Sequence, residues 1–178
     1  MGKEMKILTV VGARPQFIKA AVMSRAIRKH NENNANKIQE VIVHTGQHFD
    51  SNMSEVFFDE LAMDTPKYNL QIGQKIKDKP TTATQLSAML IGIEEIITSE
   101  KPDIALLYGD TNSTLAGALM ASKMRIPIAH VEAGVRNYDM HNVEEQNRII
   151  TDHMSSYLFC PTQFAVDCLE KEGLINGL

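Results

Sequence analysis

The stretch DIALLYGDTNSTLAGALMASKMRIPIAHVEA, residues 103–133, decides the fold of this chain. Its first seven residues, 103–109, form an apolar run that predicts a buried strand, and residues 113–125 carry apolar side chains at helical spacing. A second apolar run follows at 126–133. Two buried strands joined by a helix are typical of a strand–helix–strand unit in which the two strands lie parallel.

The rest of the chain repeats this alternation. Continuous apolar strands with helical returns indicate a Rossmann-like parallel sheet with helices on both faces. The sequence therefore predicts an α/β fold in a single domain, without internal repeats or a domain linker. Residues 73–80 are expected to form a mobile loop. Further strands are predicted at 6–12, 40–45, 67–72 and 157–162, and further helices at 17–30, 53–61, 81–101, 143–155 and 163–173.

Composition restricts the classes of function. Of the 178 residues, 43% are hydrophobic and 22% charged, as in ordinary globular proteins, and the net charge is −4. Without a basic excess, a nucleic-acid partner is not expected. No run approaches the roughly 20 apolar residues of a membrane span, so no membrane partner is expected either. Cys160 and Cys168 lack neighbours at ligand spacing and predict two free thiols. Together with an N-terminus unlike a signal peptide, they favour a cytoplasmic location.

Polar and charged side chains collect where the predicted strands end. In parallel α/β sheets, ligands bind at the carboxyl ends of the strands, so these side chains are expected to surround one site. Glu144 and Arg148 join them from the next helix, where a spacing of four residues places both on one face. The residues that follow the strands are Arg14, His44, Gln47, His48, Asp110, Glu132 and Arg136.

Several of these residues also have a plainer interpretation. Asp110 precedes a helix and could be its N-cap. Glu132 ends a buried strand, where an unpaired carboxylate is costly, so an ion pair with Arg136 or Arg148 is as open as a role in acid or base catalysis. A salt-bridge set on the surface of the following helix would contain Glu144, Glu145 and Arg148.

The remaining polar candidates are individually weak. GARPQFIK, residues 12–19, lacks the G-x-G-x-x-G pattern of a phosphate-binding turn, so Arg14 and Lys19 could be ordinary surface cations. His44 and His48 have no further ligand cluster nearby, and loop hydrogen bonding is favoured over metal binding. Neither a metal ion nor another cofactor is predicted.

Six motifs together carry a more specific signal. They are GARPQFIK (12–19), HTGQH (44–48), YGDTNSTLAGAL (108–119), HVEAGVR (130–136), EEQNRIITDH (144–153) and FCPT (159–162). In this order they resemble the non-hydrolysing UDP-N-acetylglucosamine 2-epimerase family along almost the whole chain, and HVEAG-x-R followed by EE-x-NR-x-x-TDH is highly specific. The resemblance implies a GT-B architecture, in which two Rossmann-like domains hold the sugar nucleotide in the cleft between them. Residues 1–178 would be the N-terminal domain.

The resemblance also implies a reaction on a UDP-sugar substrate. Such an epimerase removes the C2 proton and expels UDP, which leaves a 2-acetamidoglucal. UDP then adds back while a proton reaches the opposite face of C2, so UDP-GlcNAc and UDP-ManNAc interconvert. By motif position, the catalytic carboxylates would be Asp110, Glu132 and Glu144, with base and acid unassigned.

The same motifs imply binding residues. The substrate's phosphates would be met by Arg14, Lys19 and Arg148, and Arg136 is a further substrate-binding candidate. In bacterial members the TGQH loop also helps to hold a second, activating UDP-GlcNAc, which would place Gln47 and His48 near such a site.

This chain departs from the family in sequence and in length. Members of the UDP-GlcNAc type often read GTRPE where this chain has GARPQ, and M-P-E-E where it has MHNVEE (140–145). The form GARPQFIK looks closer to epimerases of UDP-2,3-diacetamido-2,3-dideoxyglucuronic acid, so the sugar stays open. Family chains are longer and carry a C-terminal domain, which would be a partner here, as would a second copy in a homodimer. A GT-B glycosyltransferase half and a non-catalytic remnant domain are the other readings.

Overall fold

A computed structural model describes residues 4–47, 58 and 60–174 of the chain. The strands in these ranges are β1 (Met5–Val11), β2 (Ile38–His44), β3 (Tyr68–Asn69), β4 (Ile104–Tyr108), β5 (Ile128–Val131) and β6 (Tyr157–Phe159). The helices in the same ranges, numbered in chain order, are α1 (Arg14–Asn33), α2 (Ile72–Lys75), α3 (Thr82–Glu100), α4 (Asn112–Lys123), α5 (Val143–Met154) and α6 (Gln163–Lys171).

The six described strands form one sheet in the order β3-β2-β1-β4-β5-β6. Every neighbouring pair is parallel. This is the Rossmann order, in which the chain first builds outward from β1 in one direction and then crosses over to β4 and builds in the other. Ligands of such sheets bind in the crevice at this reversal, at the carboxyl ends of the strands. The connections that follow β1 and β4 therefore flank the expected site.

Both faces of the sheet are buried under helices. Adjacent residues of a strand point to opposite faces, so Val10 and Val11 enter different cores. Val10 packs in one cluster with Ile93 of α3, and Val11 packs in the other with Phe17 of α1. All four side chains are completely buried. The prediction of an α/β fold with a parallel sheet and helices on both faces is confirmed.

Capping residues fix where the helices near the site begin. Pro15 lies in the first turn of α1, where its missing N–H costs nothing. The hydroxyl of Thr111 accepts from the amide of Thr114 at the start of α4, so Thr111 and not Asp110 is the N-cap. No helix in the described ranges is both long and apolar enough to cross a membrane.

Some local predictions were wrong or cannot be compared. The helix expected at 17–30 begins at Arg14, and the strand expected at 67–72 contains only two residues. Part of the loop expected at 73–80 is the short helix α2, which is held because the amides of Ile72 and Gly73 donate to carbonyls of the loop after β2. The helix expected at 53–61 lies largely outside the described residues.

Candidate active site

The connection between β1 and α1 is organised by one buried side chain, Gln16. Its Oε1 accepts from the amides of Gly12 and Ala13, at 2.7 and 3.0 Å. Its Nε2 donates to the carbonyl of Tyr108 at 2.6 Å, at the end of β4. Gln16 thus joins the loops after β1 and β4 and holds the amides of the two residues that precede α1.

Glu132 lies just beyond β5 in a left-handed backbone conformation, with φ at 75°. This conformation is strained for any residue but glycine and is typical of functional sites. The amide of Glu132 donates to the carbonyl of Phe159 at 3.1 Å, which anchors the turn to β6. The Glu132 carboxylate pairs with the Lys19 ammonium of α1. The alternatives of Arg136 or Arg148 as its partner were wrong.

Asp110 follows the left-handed Gly109, where β4 ends. Its Oδ2 accepts from Arg148 Nε at 2.9 Å. The other side of the Arg148 guanidinium donates to Glu145 Oε2 at 2.6 Å, so α5 and the loop after β4 are joined by a chain of ion pairs. Asn147 adds a bond from its amide nitrogen to the carbonyl of Asp110 at 2.9 Å.

Asp110, Glu132 and Arg148 line one small pocket of about 60 Å³, together with Gly109 and Val135. The two carboxylate side chains are 32% and 34% exposed, so solvent and a ligand from solution can reach both. A Cβ at Gly109 would lie 3.2 Å from Glu132 Oε2, which shows how closely the Glu132 side chain crosses the loop after β4. Two carboxylates from separate loops, each with its own cation, therefore meet at the carboxyl edge of the sheet.

Two predicted site residues take different positions. Glu144 is exposed in the first turn of α5 and is not among the residues that line the pocket. The neighbouring Glu145 is completely buried and holds Arg148 instead. The guanidinium of Arg136 is also completely buried, between Asp152 and Glu172, and does not line the pocket.

Comparison with known proteins assigns this chain to a family. A model of the family described as UDP-N-acetylglucosamine 2-epimerase matches residues 30–176. The chain belongs to this family. The resemblance seen in the sequence motifs is thereby confirmed.

Individual members of the epimerase family are similar over nearly the whole chain. The UDP-2,3-diacetamido-2,3-dideoxy-D-glucuronate 2-epimerase of Pseudomonas aeruginosa is 54% identical over 95% of this chain and 45% of its own length. The UDP-N-acetylglucosamine 2-epimerase of Methanocaldococcus jannaschii is 47% identical over 96% of this chain and 43% of its own length. The crystal structure of the M. jannaschii enzyme with UDP-GlcNAc and UDP superposes with a TM-score of 0.83, covering 96% of this chain and 44% of that one. The chain thus spans less than half the length of these epimerases.

The remaining predicted site residues of this epimerase-family chain are not among those that line the pocket. Arg14 is exposed at the first residue of α1, and Gln47 is buried, with its Oε1 accepting from Ser113 at 2.6 Å. His44 meets the ring of Phe17 edge-on, with centroids 4.9 Å apart. His48 lies outside the described residues. Among those described, no three metal-ligating side chains gather into a group.

Behind the pocket lies a buried charged cluster that sequence reasoning missed. Asp152 of α5 contacts His130 at 2.6 Å and Arg136 at 2.7 Å, and Arg136 also holds Glu172 in a two-pronged pair. Burial pushes the pKa of Asp152 up, but the bonds from His130, the Gly134 amide and Arg136 outweigh it and hold that pKa below its ordinary value. The sequence did contain a signal for this cluster. His130 and Asp152 both lie within the quoted motifs, in which only the neighbouring charged residues were predicted to belong to the site.

Proposed function

We propose that residues 1–178 form the N-terminal catalytic domain of a non-hydrolysing UDP-N-acetylglucosamine 2-epimerase. One observation carries the proposal. Asp110 and Glu132 line one pocket together with Arg148 of α5. The two carboxylates come from different strand–helix connections. An epimerase that works by elimination and re-addition needs a proton acceptor and a proton donor around one carbon, and two accessible carboxylates can supply both.

The chemistry divides into two half-reactions. In the first, a carboxylate takes the proton from C2, the C–H electrons form the C1–C2 double bond, and the C1–O bond breaks with its electrons going to UDP. In the second, a UDP oxygen adds to C1 and a carboxylic acid returns a proton to the other face of C2. Because the C2 proton is not acidic, departure of the nucleotide must accompany its removal. Charge stabilisation on the leaving diphosphate is therefore as important as the base.

The two cations paired with the pocket carboxylates suit the need for charge stabilisation on the leaving diphosphate. Lys19 is bound to Glu132, and Arg148 is bound to Asp110. A diphosphate would compete for both cations, and a carboxylate released from its ion pair has a free lone pair for proton transfer. Asp110 and Glu132 are proposed as base and acid without assigning either role.

Three more residues complete the proposed machinery. Glu144 is proposed as the third carboxylate, exposed at the start of the helix that carries Arg148. Arg14, exposed at the start of α1, is proposed to contact phosphate. Arg136 is proposed to act on substrate only indirectly, because its guanidinium is completely buried in ion pairs.

UDP-GlcNAc is the proposed substrate, and a diacetamido analogue is the second candidate. The diacetamido analogue is favoured by GARPQFIK at residues 12–19. It is also favoured by the 54% identity to the P. aeruginosa enzyme, which is named for UDP-2,3-diacetamido-2,3-dideoxy-D-glucuronate. Parallel assays with both sugar nucleotides, compared by kcat/KM, decide between them.

Catalysis by this domain requires partners outside it. A C-terminal domain is proposed to close the cleft and supply most uridine contacts, since the matched epimerases are more than twice as long. A homodimer, a cytoplasmic location and an activating UDP-GlcNAc near Gln47 and His48 are further parts of the proposal.

The test is the appearance of solvent deuterium at C2. The chain is joined to a C-terminal domain, and the recovered sugar nucleotide is analysed after reaction in D₂O. The epimerase predicts deuterium at C2 and a mixture of both C2 epimers. A glycosyltransferase half would transfer the sugar and leave C2–H untouched, and a remnant domain would leave the substrate unchanged. Either of those results would overturn the proposal.

A further inference from the structure

His130, completely buried in β5, has an acceptor at each ring nitrogen. Its Nε2 lies 2.7 Å from the carbonyl of Gly109, and its Nδ1 lies 2.6 Å from Asp152 Oδ1. A carbonyl oxygen can only accept, so Nε2 carries a proton. Asp152 Oδ2 accepts from Arg136 and from a backbone amide, while its Oδ1 faces His130 Nδ1. The ring therefore connects the Gly109 carbonyl to the Asp152 carboxyl group.

The Asp152 carboxylate continues the chain of contacts on its second oxygen. Oδ2 accepts from the amide of Gly134 at 3.0 Å and from Arg136 Nη1 at 2.7 Å. The His130–Asp152 pair therefore forms hydrogen bonds with two backbone groups. One is the Gly109 carbonyl at the end of β4, and the other is the Gly134 amide beyond β5.

These two backbone groups frame the pocket carboxylates. Asp110 is the residue after Gly109, and Glu132 is two residues before Gly134. Gly109, Glu132 and Gly134 all have left-handed backbones, with φ of 62°, 75° and 76°. Glycine adopts such a backbone readily, whereas Glu132 keeps it only where surrounding contacts determine it. Asp152 also shares α5 with Arg148, the partner of Asp110. The buried pair is therefore connected to both turns and to the helix that carries Arg148.

We propose that the buried His130–Asp152 pair is the positioning element of this pocket, which sets the two turns that carry Asp110 and Glu132. Neither His130 nor Asp152 touches the substrate in this proposal. Its activity readout rests on the proposed function, whereas its structural readout does not. The competing explanation is a buried ion pair that supports the fold as a whole.

The substitution Asp152→Asn separates hydrogen-bond geometry from charge. An asparagine with its amide nitrogen turned toward His130 Nδ1 can donate to a neutral ring that still donates from Nε2 to Gly109. Its oxygen can then accept from Gly134 and Arg136, so every buried polar group keeps a partner. Asp152→Ala removes the acceptor of the Gly134 amide and the partner of His130 Nδ1, so His130 keeps its bond to Gly109 but loses the contact that orients its ring. Glu172→Ala is the matched control, because it removes the other carboxylate on Arg136 without touching either turn.

The first measurement uses residues 1–178 alone and follows amide hydrogen exchange by NMR. Protection of the Gly134 amide is expected to fall in Asp152→Ala and to survive in Asp152→Asn and Glu172→Ala. Equal loss of Gly134 protection in Asp152→Ala and Glu172→Ala would overturn the proposal, since it would show a general loss of stability. This measurement holds whether or not the domain supports epimerisation.

The second measurement is kcat and KM of the complete two-domain protein. A misplacement of catalytic groups by about 1 Å costs about 100-fold in rate, so Asp152→Ala is expected to lower kcat about 100-fold with little change in KM. Asp152→Asn is expected to restore most of that loss, and Glu172→Ala to keep the original kcat. A folded Asp152→Ala with unchanged kcat would refute the positioning role. An unsubstituted protein without turnover would instead refute the proposed function.

His130→Phe keeps the test decisive if Asp152→Ala does not fold. The phenyl ring keeps a planar aromatic side chain, although a slightly larger one, removes the anchor on Gly109 and leaves Asp152 paired with Arg136 and Gly134. Lower kcat with intact Gly134 protection is expected. A folded His130→Phe protein with the original kcat would contradict the proposal.

Discussion

Gln16→Ala is expected to destabilise the domain by about 3 kcal/mol. Gln16 is the third residue of α1 and accepts from the amide of the N-cap residue Ala13, as in a capping box. Loss of a capping bond at a helix start costs about 0.5–2 kcal/mol. The amide of Gly12 is buried and also loses its acceptor, which costs about 1–3 kcal/mol. The carbonyl of Tyr108 keeps a bond from the hydroxyl of Thr114 at 2.7 Å and adds little to the total.

The assay is urea denaturation of residues 1–178, with unfolding monitored by far-UV circular dichroism. The midpoint should fall while the slope m stays constant, because the substitution changes stability and not the surface exposed on unfolding. Gln146→Ala is the control, since Gln146 is an exposed glutamine of α5 with one side-chain bond to a carbonyl. It should change stability by less than about 0.5 kcal/mol. A loss of under about 1 kcal/mol for Gln16→Ala would refute the view that Gln16 holds the loops after β1 and β4 together.

Three further expectations concern pH, backbone and ligand. The pKa of Glu100 is lowered from 4.5 to about 2, first by its bond from Lys67, so its stabilisation is complete above pH 4.5 and is lost as pH falls toward 2. Glu100→Gln should flatten acid denaturation curves across that window, and an unchanged curve would exclude Glu100 as a cause. Gly134→Ala should cost more than about 1 kcal/mol in thermal denaturation, because φ is positive and the new Cβ would lie 2.3 Å from the carbonyl oxygen of Ala165; full stability would contradict the described turn. Calorimetry of residues 1–178 with UDP should show weak or no binding, and micromolar affinity would place the uridine contacts in this domain.

The sheet and the position of the pocket followed from local sequence. The apolar runs at 103–109 and 126–133 predict β4 and β5. The rule that ligands bind at the carboxyl ends of parallel strands predicts that Asp110 and Glu132 share a site, and both line the pocket. This worked because buried strands and amphipathic helices are encoded by short-range periodicity.

The partners of the charged residues did not follow from local sequence. Lys19 and Glu132 are 113 residues apart in the chain and meet only in the completed fold. Arg136 is closer in sequence, but its guanidinium is drawn into the buried pairs with Asp152 and Glu172. Such choices depend on which side chains the completed fold brings within reach.

The choice of ion pair within α5 also depended on the fold. The sequence offered both Glu144 and Glu145 as partners of Arg148, and the ion pair in α5 joins Glu145 to Arg148 at a spacing of three. Both spacings bring helical side chains together, so sequence cannot choose between them. The choice was made by tertiary contacts, because the other oxygen of Glu145 accepts from the amides of Asn137 and Tyr138 at 3.0 and 2.8 Å.

The most direct test of the central claim is the rate of deuterium incorporation at C2 by Glu132→Gln in the complete two-domain protein. Glutamine keeps the size of the side chain but cannot exchange a proton as a carboxylate does. The expected result is loss of incorporation, with circular dichroism and thermal stability like those of the original protein and full activity in the exposed control Glu94→Gln. Incorporation by Glu132→Gln at the original rate would show that the pocket shared by Asp110 and Glu132 is not where C2 reacts.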